Sequence, residues 1–413
     1  MKRRHCLKLL AGGSLMTAGL GIAGFRFWPD EGIWNPCLTG GLPESLANHE
    51  LLQEAWDGIN PALYRDVHTH LIGTGDSNSG IWINPNLRSI WHPIQNIQFS
   101  FYLNASCTEE NNNVDKNYVK RLYTLMQDFP NGAKAMLLAF EHHYDSDGNI
   151  KLEHSPFHTP NKYAEQIANK HSNHFEWIAS IHPYKPDAAE KLTSAINRGA
   201  KAIKWLPPVM NIDPSSEKCD DFYQVLAKYK VPLLCHAGDE HAVDAGERQK
   251  LGNPLLLRRA LDHGVKVIIA HCATIGKNVD LDIGKNGQEI ENFRLFGRLM
   301  NEYKYDNLVF GDISAITQIN RSQEALEYII SHDEWHHRLV QGSDYPLPGV
   351  MPVFSPQTMV DRGYLSTTKA KFISDVRKYN PMLFDFLLKR FINIKGKQLS
   401  HSVFEAARIL DNS

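Results

Sequence analysis

The sequence has no Cys-x-x-Cys pair, and its six cysteines (Cys6, Cys37, Cys107, Cys219, Cys235, Cys272) show no zinc-ribbon spacing. A structural thiolate zinc site is excluded on that ground, and the spacing predicts no particular disulfide. Cys235 and Cys272 lie in apolar, strand-like runs, where a free thiol behaves as a small hydrophobe. There is no Walker loop and no Gly-x-Ser-x-Gly elbow. Gly73-Thr74-Gly75 lacks the third glycine of a dinucleotide fingerprint. An excess of one charge is also missing, with 44 basic against 46 acidic residues in 413. The first 29 residues hold five of the basic groups and no acid, which leaves the remainder at 39 against 46. A body of that sign is a poor phosphate binder, so nucleic acid is excluded as a partner. At 42 % hydrophobic and 22 % charged residues, a disordered chain is excluded too.

Long apolar runs are absent. The N-terminal one, Leu9–Phe25, is 17 residues long and Gly-rich, at the lower limit for spanning a bilayer. It follows the basic start Lys2-Arg3-Arg4-His5-Cys6-Leu7-Lys8, and the whole resembles a twin-arginine export signal. Residues 1–29 are read as a signal peptide of a periplasmic protein. An uncleaved anchor is the alternative, and the only membrane contact expected.

Residues 30–60 read as a linker and an N-terminal helix near Pro43–Asp57; residues 61–413 follow one rhythm. Eight short apolar runs recur: Leu63–Val67, Ala135–Phe140, Phe175–Ile181, Ala200–Leu206, Pro232–Cys235, Val265–Ala270, Leu308–Ile313 and Leu339–Gly342. Amphipathic segments of helix length separate them, among them Asn117–Phe129, Asp187–Arg198, Cys219–Tyr229, Pro254–His263, Glu289–Glu302 and Ser322–His332. Near-continuous apolar strands alternating with helices predict a parallel sheet covered outside, and eight units predict a (β/α)8 TIM barrel. The segment from Phe372 to the end reads as helical, packing outside the barrel.

Chemistry in such a barrel sits at the C-terminal strand ends. These carry Asp66-Val67-His68-Thr69-His70, Glu141-His142-His143, His182-Pro183, Lys204-Trp205, His236-Ala237-Gly238, His271-Cys272 and Gly342-Ser343-Asp344. The seventh run offers Asp312 without a clear role. Period-two alternation puts His68 and His70 on one side, facing the barrel mouth, with Asp66 deeper on the same side. Imidazoles from three strands and a carboxylate from a fourth form a nitrogen/oxygen set suited to Zn²⁺, or to Mn²⁺, Fe²⁺ or Ni²⁺.

The motifs Asp-Val-His-Thr-His-Leu, Ala-Lys-Ala-Ile-Lys-Trp-Leu-Pro-Pro, Leu-Leu-Cys-His-Ala-Gly, Ile-Ile-Ala-His-Cys and Gly-Ser-Asp-Tyr-Pro follow in order from Tyr64 to Pro346. In this the chain resembles the amidohydrolase superfamily, in its amidohydrolase-2 branch of metal-dependent hydrolases and decarboxylases. The resemblance implies that His68, His70, His236 and Asp344 ligate one divalent metal, with Asp344 also catalytic. It leaves His271 as a catalytic base or electrophile, or as ligand to a second metal. Lys204 is likewise a carboxylated bridge between two metals or a plain lysine that orients substrate. The plain lysine and the single metal are preferred.

His182, Arg248 and Trp82 are candidates for substrate contact, and His142 and His143 lie near the mouth. The pair His332/His336 falls before the eighth strand, on the barrel's stability face, and is read as structural. The long segment Leu71–Asp115, with Trp82, Trp91, Phe99, Phe101 and Tyr102, is read as a pocket wall or the core of an inserted subdomain. The expected function is hydrolysis of a small ester, lactone or amide by metal-activated water. Non-oxidative decarboxylation is the alternative in the same family, and an exported non-catalytic binding protein the alternative of another class. The expected partner is a small-molecule substrate, with homo-oligomerisation left open.

Overall fold

The computed structural model describes residues 31–109, 113–243, 245–284 and 286–411. The export signal or anchor read in residues 1–29 lies outside the described residues. All eight apolar runs form parallel strands: β1 (Arg65–His70), β2 (Lys134–Leu138), β3 (Phe175–Ile178), β4 (Ile203–Trp205), β5 (Leu233–His236), β6 (Val267–Ala270), β7 (Val309–Asp312) and β8 (Leu339–Val340). Strands β1 to β3 pair in order, as do β4 to β8. The parallel bridge Ala179–Ile203 joins β3 to β4. At the other seam the Val67 amide donates to Gln341 O, Asp344 to His68 O and His70 to Tyr345 O. The barrel is therefore closed.

Period-two alternation sorts the strand side chains into two cores. Val67, Met136, Leu138, Ile178, Leu234, Ile268, Phe310 and Val340 fill the interior. Their neighbours, such as Leu137, Trp177, Leu233 and Ile269, pack outward into the helix layer. A helix follows each strand: α2 (Val114–Gln127), α3 (Asn161–Lys170), α4 (Ala188–Asn197), α5 (Asp220–Tyr229), α6 (Arg258–Asp262), α7 (Asn292–Met300), α8 (Gln323–Ser331), then α9 (Thr367–Arg377) and α10 (Pro381–Phe391). Among the further helices, α1 (Pro93–Ala105) is inserted between β1 and α2.

Four local expectations need correction. Pro254–His263 is a 3-10 turn, Pro254–Leu257, leading into the short α6, because Pro254 and Asn253 cap a tight turn there. Glu289–Glu291 is not helical but pairs antiparallel with Lys277–Val279 before α7 begins. The C-terminal segment does more than pack outside. Ala406, Ile409 and Leu410 join the interior cluster, and Lys266 donates to Ile409 O from the strand starts, so this segment plugs the barrel's lower end. Finally, Cys37 and Cys107 form a disulfide across 70 residues, a pairing no local spacing encodes.

Candidate metal centre and active-site cavity

The alternation in β1 is broken by one residue. Asp66 pairs with Ala135 and Thr69 with Leu137, so three steps on β1 match two on β2, as in a β-bulge. Val67 therefore faces the interior while His68 and His70 both reach the mouth. Asp66 falls on the other side, contrary to the simple alternation. Its Oδ1 accepts from the His68 and Ser343 amides and orients no imidazole. Burial pushes its pKa up to about 7, against those hydrogen bonds.

His68, His70 and Asp344 bring donor atoms within 4.8 Å of one another. Asp344 Oδ1 lies 3.1 Å from His70 Nε2 and 3.4 Å from His68 Nε2, and Oδ2 lies 3.9 Å from His271 Nε2. Burial raises the Asp344 pKa, but the His68, His271 and His70 rings outweigh it and hold the carboxyl well below its usual range. Asp344 and the run His271-Cys272-Ala273 all have left-handed backbone (φ 61°, 56°, 47° and 50°). Such conformations in non-glycine residues cost about 1–3 kcal/mol each and concentrate at functional sites.

Asp312, given no clear role by sequence, anchors the cluster. Its Oδ2 lies 2.7 Å from His68 Nδ1 and accepts from the Ser314 hydroxyl at 2.6 Å. Burial raises its pKa, but the His68 ring and the Ser314 hydroxyl and amide outweigh burial and keep it low. An ionised carboxylate only accepts, so the His68 proton sits on Nδ1 and Nε2 presents a lone pair. With its own proton on Asp312, the Ser314 Oγ accepts from His271 Nδ1, 2.8 Å away. That leaves His271 Nε2 facing Asp344 as well.

His236 lines the same cavity, with its ring 5.3 Å from that of His271, but stands outside the three-residue cluster. Its Nε2 is buried with no hydrogen-bond partner, and Nδ1 is 3.6 Å from Glu240. Burial, foremost, lowers the pKa of His68, His236 and His271, which favours the neutral ring that can offer a lone pair. This donor chemistry fits a divalent ion.

Lys204 Nζ lies 3.2 Å from His68 Nε2, and burial lowers its pKa against the pull of Asp344 and Asp312. Two further groups on the cavity wall have no sequence motif. Glu240, following β5, has its pKa pushed by burial up to about 7. Arg321, beyond β7, donates from Nε to Gln318 and from Nη1 to Thr274; burial lowers its pKa to about 10. Both sit on irregular loops, and only Asp312-x-Ser314 carried a readable signal, two residues on one side of a strand end.

The cluster forms the floor of a cavity of about 600 Å³, walled by Ile83, Leu87, Phe99, Phe101, Tyr102, Phe140 and Phe157. Phe99 also packs with Leu103 and Val114 in a small satellite core, so the inserted segment is pocket wall and subdomain core at once. Arg248 lines the cavity, its Nε donating to Pro208 O. His182 does not. Both its ring nitrogens are used, Nε2 on Met210 O and Nδ1 accepting from the Tyr184 amide, and it is buried in the wall. Trp82 is also off the cavity, paired antiparallel with Phe157–His158 in a two-stranded ribbon and against His142; its neighbour Ile83 lines the cavity instead. His143 is bonded to Val209 O, and His336 to Ile329 O and the Ser400 amide, both as wall or support groups.

The fold and site together are a closed eight-stranded barrel with histidines and an aspartate gathered at its C-terminal mouth. A family profile described as Amidohydrolase matches residues 66–353. The chain belongs to this family, amidohydrolase-2, whose members are metal-dependent. No curated protein matches by sequence. Solved structures are similar at low identity. One is 5-carboxyvanillate decarboxylase from Novosphingobium aromaticivorans, solved with manganese and 4-hydroxy-3-methoxy-5-nitrobenzoic acid (12 % identity, 84 % of this chain and 96 % of that one, TM-score 0.48). Another is a TIM-barrel protein from Bordetella bronchiseptica (12 %, 70 % and 88 %, 0.45). A third is a 2-pyrone-4,6-dicarboxylic acid hydrolase, so described provisionally, from Pseudomonas putida (14 %, 68 % and 82 %, 0.40).

Proposed function

We propose that the protein is a metal-dependent hydrolase of a small ester, lactone or amide. The observation that carries this is the convergence of His68, His70 and Asp344 at the cavity floor, with His271 Nε2 3.9 Å from Asp344. These three residues and His236 are assigned as ligands to one divalent ion, Zn²⁺ first and Mn²⁺, Fe²⁺ or Ni²⁺ next, by donor type. Once bound, such an ion supplies Lewis-acid activation of water and of a carbonyl oxygen. Asp344, held ionised, accepts the proton of the attacking water and returns it to the leaving group. His271, oriented by Ser314, polarises the scissile carbonyl and stabilises the developing oxyanion. Lys204 is assigned as an unmodified lysine that orients substrate. Without a carboxylate on its nitrogen it offers no bridge to a second ion.

Decarboxylation is the second reading. It is favoured by Lys204 and Arg321, two cavity cations that form no ion pair among the described residues and could hold a substrate carboxylate. Metal-loaded protein incubated with panels of lactones, esters and aromatic carboxylic acids separates the two. The hydrolase reading predicts ring-opened or cleaved products and no CO₂, whereas CO₂ release without hydrolysis establishes the decarboxylase. The Cys37–Cys107 disulfide supports an oxidising compartment, in keeping with export.

A further inference from the structure

Helix α1 presents two faces. Gln98, Phe99, Phe101 and Tyr102 line the cavity, while the segment leading into the helix and its first two turns expose large apolar side chains to solvent. Ile90 is 79 %, Trp91 84 % and Ile94 69 % exposed, and Ile97 continues the stripe one turn on. Ile94 and Ile97 are one helical turn apart and share a face, and Ile90 and Trp91 stand in the turn that leads into it. The chain holds no acidic residue between Asp76 and Glu109. An apolar stripe with an indole, free of carboxylates, matches a segment that lies in a membrane interface.

We propose that this tip of α1 docks on a lipid bilayer surface. Two arguments select that occupant. The first is area: four side chains offer on the order of 500 Å², short of the ~800 Å² per partner that a stable protein dimer buries. The second is where the N-terminal segment rejoins the described residues. Trp34 stacks on Phe101 of α1 at 4.8 Å, Asn35 exchanges hydrogen bonds with Asn104, and Cys37 is bonded to Cys107. The apolar run Leu9–Phe25 precedes this strap by eight residues, which reach at most ~28 Å. Ile94 lies seven residues up the helix from Phe101, ~10 Å along its axis. Where the N-terminal run stays on the chain as an anchor, the membrane that holds it is thus within reach of the apolar tip.

The test uses the full chain with vesicles of phosphatidylethanolamine and phosphatidylglycerol containing a brominated phosphatidylcholine. Tryptophan emission is expected to be quenched, and Trp91→Phe, which keeps the apolar face, should lose part of that quenching while still floating with the vesicles. Ile90→Ser combined with Ile94→Ser should lose the same part. Identical quenching in wild type and Trp91→Phe would overturn the proposal, as would absence of vesicle association. So would a concentration-dependent dimer that Ile94→Glu converts to monomer, since a second copy would then cover the tip.

Discussion

His68 Nδ1 lies 2.7 Å from the Asp312 carboxylate, which reaches it from β7 behind the barrel mouth. That contact fixes which imidazole nitrogen faces the proposed metal. Asp312→Asn keeps the shape but allows the amide to donate or accept, so the ring is no longer held in one tautomer. Loss of such a supporting group typically costs about 10–100-fold in metal affinity. A chelator competition titration should read a weakening in that range, with the circular dichroism spectrum unchanged.

His271→Asn should lower kcat by about 10²–10⁴-fold, the contribution of a general acid/base or electrophile, with bound metal retained. Ser314→Ala removes the hydroxyl that accepts from His271 Nδ1 but keeps the Ser314 carbonyl, 3.1 Å from the same nitrogen, and should give a smaller loss of kcat, also without metal loss. Metal content measured beside kcat distinguishes these outcomes from loss of a ligand.

Gly342→Ala tests how tightly the seam between β1, β7 and β8 is packed. An added Cβ would meet Asp312 Oδ1 at 2.5 Å and His68 Cβ at 2.8 Å. Overpacking of this kind costs typically ~1–3 kcal/mol. Thermal unfolding should show that loss, and metal affinity should fall with it because both displaced groups serve the site.

Cys37→Ser with Cys107→Ser should lower Tm, since a loop of 70 residues closed by a disulfide is worth about 4 kcal/mol in the chain-entropy account. The staple sits at the C-terminal end of α1, so KM should rise more than kcat falls. Equal KM values in the oxidised protein and the variant would show that α1 does not depend on the staple.

Much of this architecture was legible in the sequence because strand burial and strand-end chemistry are local. All eight apolar runs are barrel strands, and His68, His70, Lys204, His236, His271 and Asp344 all line one cavity. What escaped depends on closure. Asp312 acquires its role only when β7 is carried round to face His68. The bulge that turns Asp66 away is set by pairing with β2, which period-two alternation cannot contain. His182 was read from its strand end and Trp82 from the aromatic-rich segment Leu71–Asp115, but a bond to Met210 O and an antiparallel pairing with Phe157–His158 draw them into the wall. Glu240 and Arg321 sit on loops whose course no periodicity describes.

Metal stoichiometry tests the central claim most directly. Elemental analysis of protein purified without added metal should give one divalent ion per chain, and His68→Ala should lose most of it while remaining folded. Full metal retention in His68→Ala, or two equivalents per chain in the wild type, would contradict the single site built on His68, His70 and Asp344.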